Sequence, residues 1–478
     1  MRKCVLTVAM VTGAILSNAQ INFKDSVQLD EVVITGNRFE TPVEKSGKTI
    51  YKISTKDIEQ NAGSTLLDLL NNVPGLQMDG NYGTPGSNVS YYLRGGRNRN
   101  TLVLIDGIPM NDPTAITAYY DLRYLSIDQV ESIEILNGGL STLYGSGAAA
   151  GIINIKLKNP NQRKFSGTVD INGGSYNTWS QHLQVGGTIK GLYYLISGNN
   201  ATSEGFSSAK ETATTNTFDN DGYTKQNGLL KLGYQLSEKW TIDMITAYDQ
   251  FSADYDDGAF LDADNVLKSN EFRFGITPNY NHGKGNLTLK VLYNQNENEF
   301  KSAFPQHYEG ANLQLDLTES YILNKNVKAI IGVNMQHMSY EQIDMPNSTQ
   351  YDFSVLDPYA SFIFDTAFGL NVHAGARLNT HSVYKSKWLY NLNPSYLFDF
   401  SHWKLKLRGS ISTSYITPSL YQIYSEYGSQ DLSPEESLNY EGGFDVYLSD
   451  KFTFNAVYFE REEKELIDFV SLFDDQGN

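Results

Sequence analysis

"WKLKLRGSIS", residues 403–412, decides the fold. Trp403, Leu405, Leu407 and Ile411 fall on one side of an extended chain, and Lys404, Lys406, Arg408, Ser410 and Ser412 on the other. A period of two marks a β-strand with one apolar and one polar face. "LNVHAGARLN" (370–379) repeats it, setting Leu370, Val372, Ala374, Ala376 and Leu378 against Asn371, His373, Arg377 and Asn379. "FSGTVDIN", "LTLKVLY" and "KFTFNAVYF" behave alike, and no helix-period stretch of useful length follows residue 155.

A soluble β-sandwich alternates too. Three features favour a membrane barrel instead. Strands near ten residues match a tilted bilayer span. Tyr193, Tyr194, Trp240 and Phe459 sit toward strand ends, where an interfacial girdle would lie. Long polar loops alternate with short Gly/Asn/Asp turns. Forty glycines, 32 tyrosines and 23 phenylalanines suit such a wall, in which only alternate residues meet lipid.

The 478 residues carry 54 acidic and 37 basic side chains, a net charge of −17, which argues against a nucleic-acid partner, since binding a phosphate backbone needs a basic surface. Residues 1–19 read as a cleavable signal peptide, with Arg2 and Lys3, an apolar run from Val5 to Leu16, then Ser17-Asn18-Ala19. The lone cysteine, Cys4, lies in that leader, so a processed chain forms no disulfide. No apolar run long enough for a membrane helix follows. Before residue 155 the elements are short and mixed. Leu66, Leu67, Leu69, Leu70 and Val73 supply a helix face, with Ser64 or Thr65 near its cap and Pro74-Gly75 as its stop. "TLVLIDGIPM" is a buried-type strand broken at Asp106-Gly107, and "QVESIEILNG" is a further strand.

Four long motifs carry a family resemblance: "DLLNNVPGLQM", "YYLRGGRNRNTLVLIDGIPMND", "DQVESIEILNGGLSTLYGSGAAAGIINIKLK" and "YITPSLYQIYSEYGSQDLSPEESLNYEGGF". In this order they resemble TonB-dependent outer-membrane receptors, from about residue 29 to the end. Within that family the likeness is strongest to cobalamin receptors of Gram-negative bacteria. The resemblance implies an all-β antiparallel transmembrane barrel with an N-terminal α+β plug. Residues 20–40 would be a periplasmic coupling segment, 41–154 the plug and 155–478 the barrel. A family barrel has about 22 strands, but at roughly 20–25 residues per strand this chain holds about 14. The expectation is an incomplete barrel in a C-terminally truncated chain.

The resemblance also implies roles. "DEVVITGNR" holds Asp30, Glu31, Val32, Val33, Ile34 and Thr35, a coupling box kept unpaired so that TonB, driven by an inner-membrane proton-powered motor, adds it to a sheet edge. The residues alone also fit a disordered tail or the plug's first strand. In "YYLRGGRNRN", which alone is an anion site or a solvated loop, Arg94 or Arg97 would pair with Glu435 or Glu436 of the wall. Ligand would settle on plug loops with Asn81, Tyr82, Asn111, Asp112 and Tyr119. Two acidic loops offer Asp219, Asp221, Asp256 and Asp262; by themselves these are turn-forming residues, and by resemblance they are ligands of a structural calcium ion. No other cofactor is expected.

"YGSGAAAG" (144–151) has a superficial dinucleotide look, but a strand follows where a helix is needed. There is no P-loop, zinc-protease helix or nucleophile elbow, and His182, His282, His307 and His373 are scattered. The expectation is therefore a non-enzymatic importer in the Gram-negative outer membrane, contacting lipid, with a surface lipoprotein as a further candidate partner. Its ligand would be a corrinoid or, alternatively, a ferric siderophore; a passive porin or adhesin barrel is a further alternative.

Overall fold

Alternation becomes a single sheet. The computed structural model describes residues 32–33, 38–39, 41–80, 83–160, 162–211, 218–346, 348–449 and 452–470. Fifteen strands follow in chain order, each antiparallel to the next, from Ser166–Gly174 to Phe452–Lys464. They run from nine residues, in Ser166–Gly174, to nineteen, in Gln306–Asn324. Most exceed the ten residues that alternation suggests, because their outer ends continue beyond the apolar band. Among the described residues the first and last strands do not pair with each other.

The sides of this sheet are the reverse of a soluble core. In Trp403–Ile416, Lys406, Arg408, Ser410 and Ser412 are buried while Trp403 and Leu407 are exposed. Asn371, His373, Arg377 and Asn379 are buried in Leu370–Asn379. Leu317, Ile331, Leu356, Phe362 and Phe364 stand exposed. Polar groups turned inward and large apolar groups turned outward describe a wall whose outer solvent is hydrocarbon.

Hairpin turns at one end are short: 190–191, 236–239, 282–284 and 325–326. Rings gather beside them, with Trp240 on Tyr280 at 4.7 Å, Phe400 on Trp403 at 4.3 Å and Tyr396 by Phe398 at 4.5 Å. This is the interfacial aromatic belt. The opposite end carries the long loops 204–222, 256–264, 343–350, 380–386 and 417–434.

The amino-terminal unit fills the inside. Its five-stranded sheet runs Ile50–Ile53, Val130–Asn137, Gly151–Leu157, Thr101–Ile105, Ile108–Met110, with one parallel pair between Thr101–Ile105 and Gly151–Leu157. Asp106 and Gly107, at φ 50° and 75°, make the tight turn that folds "TLVLIDGIPM" onto itself. Two helices pack on this unit, Thr55–Gln60 and Leu66–Asn71, each with a capping box, Ser54 with Asp57 and Thr65 with Asp68. Leu66, Leu69, Leu70 and Val73 join its core.

One expectation changes here. The boundary placed between residues 154 and 155 cuts a strand. Gly151–Leu157 belongs to the plug sheet, and the wall begins at Ser166. "IINIKLK" alternates like a wall strand, yet its apolar residues are covered on both sides. The small residues of 144–151 therefore turn the chain inside the plug. There, a Cβ on Gly145 (φ 85°) would meet the Arg377 guanidinium at 2.9 Å.

Leu317→Arg, which puts a cation on the outward band, should cost roughly 2–4 kcal/mol near the bilayer midplane. Chemical unfolding of the chain inserted in lipid vesicles checks this.

Candidate functional site

Barrel parity and plug turns create a vestibule at the long-loop end. The plug contributes Gly86–Asn88 and the segment Asp112–Tyr124; the wall contributes Tyr255, Phe300, Tyr308 and Tyr421. A cavity of about 400 Å³ lies there, and one of about 620 Å³ beside it shares Ile116 and Tyr421. Tyr308 stacks on Tyr340 at 5.9 Å, and Tyr421 meets both edge-on at 5.7 and 6.2 Å. Tyr421 is placed by the short helix Leu420–Tyr424, whose cap residue Ser419 accepts from Gln422 N–H. The Ser419 hydroxyl also donates to the Ile116 carbonyl at 2.6 Å, joining wall loop to plug apex.

The nominated ligand residues divide. Tyr119 lines the 400 Å³ cavity, edge-on to Tyr91 at 6.3 Å. Asp112 is buried, and its carboxylate accepts from Thr114 N–H at 2.8 Å and from Asn298 Nδ2 at 3.2 Å. Asn111 donates to the Ala118 carbonyl at 3.2 Å, while its own carbonyl accepts from Asn294 Nδ2 at 3.1 Å. These two residues thus brace the apex against the wall, because the Asp112–Thr114 turn folds them back. Asn81 and Tyr82 lie outside the described residues. Sequence reasoning missed the neighbouring clamp: Arg123 grips Asp121 through two nitrogens, donates to the Gly86 carbonyl at 2.8 Å, and lies over the Phe251 ring. "DLR" offers no spacing signal for it.

Plug and wall are pinned by charge, with partners other than those expected. Arg94 meets Glu441 at 2.8 Å, and Lys48 meets the same carboxylate at 2.9 Å. Glu435 pairs with Arg99 at 3.2 Å, both nearly sealed. Arg97 reaches only the exposed Asp468 at 3.7 Å, and Glu436 takes Lys387 at 2.6 Å. The reasons are local. Arg94 sits at φ 47° before two glycines, which swings it away from Arg97 and Arg99. Glu435 and Glu436 are adjacent in a strand and so face opposite ways, whereas Glu441 shares the parity of Glu435.

The coupling segment also departs from expectation. Val32–Val33 is paired antiparallel with Thr41–Pro42. Asp30, Glu31, Ile34 and Thr35 lie outside the described residues. Two facing positions, one of them a proline without an N–H, make a shallow pairing. Arg38 anchors the connection. Its guanidinium donates to Asp316 at 2.9 Å, Thr318 and Tyr359 at 2.7 Å, and the Leu143 carbonyl at 2.9 Å, with the Tyr144 and Tyr359 rings each 5.1 Å away.

In the acidic loops, carboxylate oxygens of Asp219, Asp221 and Asp256 all lie within 4.8 Å of one another. Burial and the facing Asp262 carboxylate hold Asp219 above the usual range, and burial raises Asp221. Asp256 is held low despite its burial, since it accepts from Ala263 N–H at 3.0 Å and Ala209 N–H at 2.6 Å. A cluster of three carboxylates with no histidine among them fits a hard divalent cation such as calcium. Elsewhere, strand pairing brings His307 to 2.9 Å from Glu297 with Glu309 alongside, which its sequence spacing did not signal.

Glu441→Gln leaves Lys48 and Arg94 facing each other without a carboxylate and should loosen the plug by about 3 kcal/mol. Glu436→Gln, at a half-exposed pair, should change it by less than about 0.5 kcal/mol. Urea-dependent proteolysis of the plug measures both. Arg38→Ala should speed labelling of a cysteine placed at position 33 by a water-soluble thiol reagent and, by leaving the Asp316 carboxylate without its cation, should also speed plug proteolysis.

The family description "TonB-dependent Receptor Plug Domain" matches residues 42–152, and "TonB dependent receptor-like, beta-barrel" matches residues 157–478. The vitamin B12 transporter BtuB of Photobacterium profundum is 25% identical over 461 residues, covering 92% of this chain and 71% of its own length. The BtuB of Vibrio cholerae serotype O1 is also 25% identical, covering 93% and 72%. Among solved structures, the siderophore receptor PirA from Acinetobacter baumannii superposes with a TM-score of 0.73 at 18% identity, covering 88% of this chain and 71% of that one. A mutant ferric enterobactin receptor, PfeA, from Pseudomonas aeruginosa gives the same score and identity, covering 88% and 72%. Plug, wall and motifs agree: the chain belongs to the TonB-dependent receptor family, as a transporter and not an enzyme.

Proposed function

We propose that this receptor imports a corrinoid, such as cobalamin, across the Gram-negative outer membrane. The observation that carries the choice is charge at the vestibule mouth. Loops 204–222, 256–264, 343–350, 380–386 and 417–434 hold eleven acidic residues against two lysines, Lys210 and Lys385. Such a mouth repels anionic ferric chelates and tolerates an uncharged macrocycle. Tyr119 and Tyr421 line the cavity, backed by the buried Tyr308 and Tyr340, and offer the apolar contact a large ring needs. Relatives described as vitamin B12 transporters support this reading; the solved siderophore receptors, at 18% identity, speak for the fold alone.

In this reading ligand rests on Ile116, Tyr119 and Tyr421, touching plug and wall together. Calcium held by Asp219, Asp221 and Asp256, beside Asp262, would offset their mutual repulsion and tie the two acidic loops together. TonB takes the coupling strand as an added edge strand, in competition with the short pairing to Thr41–Pro42. The outer membrane carries no potential of its own, so the work arrives as a pull through Arg38 on the plug. A passive pore would need neither coupling strand nor plug.

Equilibrium binding with radiolabelled cyanocobalamin, against a ferric catecholate, tests the reading. Corrinoid binding on the order of nanomolar is expected. Chelation of calcium, or Asp221→Asn with Asp256→Asn, should weaken it at least roughly tenfold, and Tyr421→Ala by about 1.4 kcal/mol. Saturable binding of the ferric chelate with none of cobalamin sinks it.

A further inference from the structure

The chain is acidic overall, yet its short-turn rim is basic. Lys190, Lys239, Lys284 and Lys325 occupy four successive hairpin turns, and Lys164 precedes the first wall strand at the same end. All five are exposed. The four turns, 190–191, 236–239, 282–284 and 325–326, contain one carboxylate, Glu238. Three further acidic groups at this end are paired, Glu44 by Lys404 at 2.9 Å, Asp365 by Lys45 at 2.8 Å and Glu319 by His282 at 2.8 Å, while Asp399 stands exposed beside the turn at 401–402, away from the four lysine-bearing turns.

The spacing is regular for a structural reason. Each hairpin spans two strands at about 4.8 Å apiece, so successive turn tips stand about 10 Å apart along the rim. That is close to the Debye length at physiological salt, so the fields of neighbouring lysines reinforce one another. Four of the five lysines also border the aromatic belt. Lys164 precedes the exposed Phe165, Lys239 precedes Trp240, Lys284 follows the Tyr280–His282 contact, and Lys325 follows Tyr321. The turns at 366–369 and 401–402, Thr-Ala-Phe-Gly and Ser-His, carry no lysine. The basic feature is an arc on one side of the wall.

We infer that this arc docks anionic phospholipid headgroups in the leaflet that meets the short turns. Rings at the headgroup level with ammonium groups just beyond them are the recognition chemistry of an anionic membrane surface. The phosphate sits against the lysine and the acyl chains against the belt. The long-loop end, with eleven acidic residues in its loops, could not play this part. The arc therefore gives the wall a lipid preference that differs between its two ends. It rests on the placement of the short turns in a phospholipid leaflet.

The full chain is inserted into vesicles of phosphatidylethanolamine with about one-fifth phosphatidylglycerol, extracted in mild detergent, and its retained lipid is counted by native mass spectrometry. Heat-modifiable gel mobility reports insertion. Roughly threefold enrichment of phosphatidylglycerol over the bulk ratio is expected at low salt, fading at high salt. K190Q/K239Q/K284Q/K325Q should insert equally and lose the enrichment, while K210Q/K385Q, at the other end, should keep it. Wild-type chain without enrichment, or the fourfold variant with undiminished enrichment, overturns the inference. Failure of the wild-type chain to insert overturns it together with the transmembrane placement beneath it.

Discussion

A backbone surrounded by hydrocarbon has no water to satisfy its N–H and C=O groups, so neighbouring strands must satisfy one another. This constraint commits the chain to one long antiparallel sheet, in which every strand from Ser166 to Lys464 bonds to its neighbour in sequence. Side chains inherit the consequence. With two faces and two solvents, Leu317 and Ile331 are turned out while Arg377, Lys406 and Asn312 are turned in.

An inward polar face requires something polar to meet it. The plug supplies Arg38, Lys48, Arg94 and Arg99 at its surface, and the wall answers with Asp316, Glu441 and Glu435. Its apolar core, by contrast, is largely its own, with Leu70, Leu93, Ile133 and Ile153 among the most completely covered residues. A contact built from charge and hydrogen bonds holds strongly while dry, but water can replace its partners as it opens. A wholly apolar contact offers no such exchange. The plug is therefore a folded body that the wall grips through exchangeable bonds. Arg38 belongs to that grip and follows the short Val32–Val33 strand in the chain.

The two ends of the wall differ in charge as the two faces differ in polarity. Acidic loops and tyrosines frame the vestibule, and lysines and rings frame the short turns. Neither is visible in the net charge of −17, which averages them.

Alternation in "WKLKLRGSIS" and "LNVHAGARLN" was enough to establish wall strands and their inward residues, since a period of two is a local property that pairing preserves. The helix at Leu66–Asn71 and the turn at Asp106-Gly107 were equally legible, being set by capping and by positive φ. Partners across space were not legible. Glu441 rather than Glu436 receives Arg94, because strand parity and the left-handed turn at Arg94 together aim the two groups. Asp112 borders the vestibule but spends its carboxylate on Thr114 and Asn298, and Val32–Val33 is paired instead of free, because each contact joins segments whose approach only the folded chain determines. Sequence by itself determined the alternation of polar and apolar residues along the wall strands, through local stereochemistry, but not that Gly151–Leu157 belongs to the plug. Tertiary structure alone decided which charges meet, since that depends on the register between plug and wall.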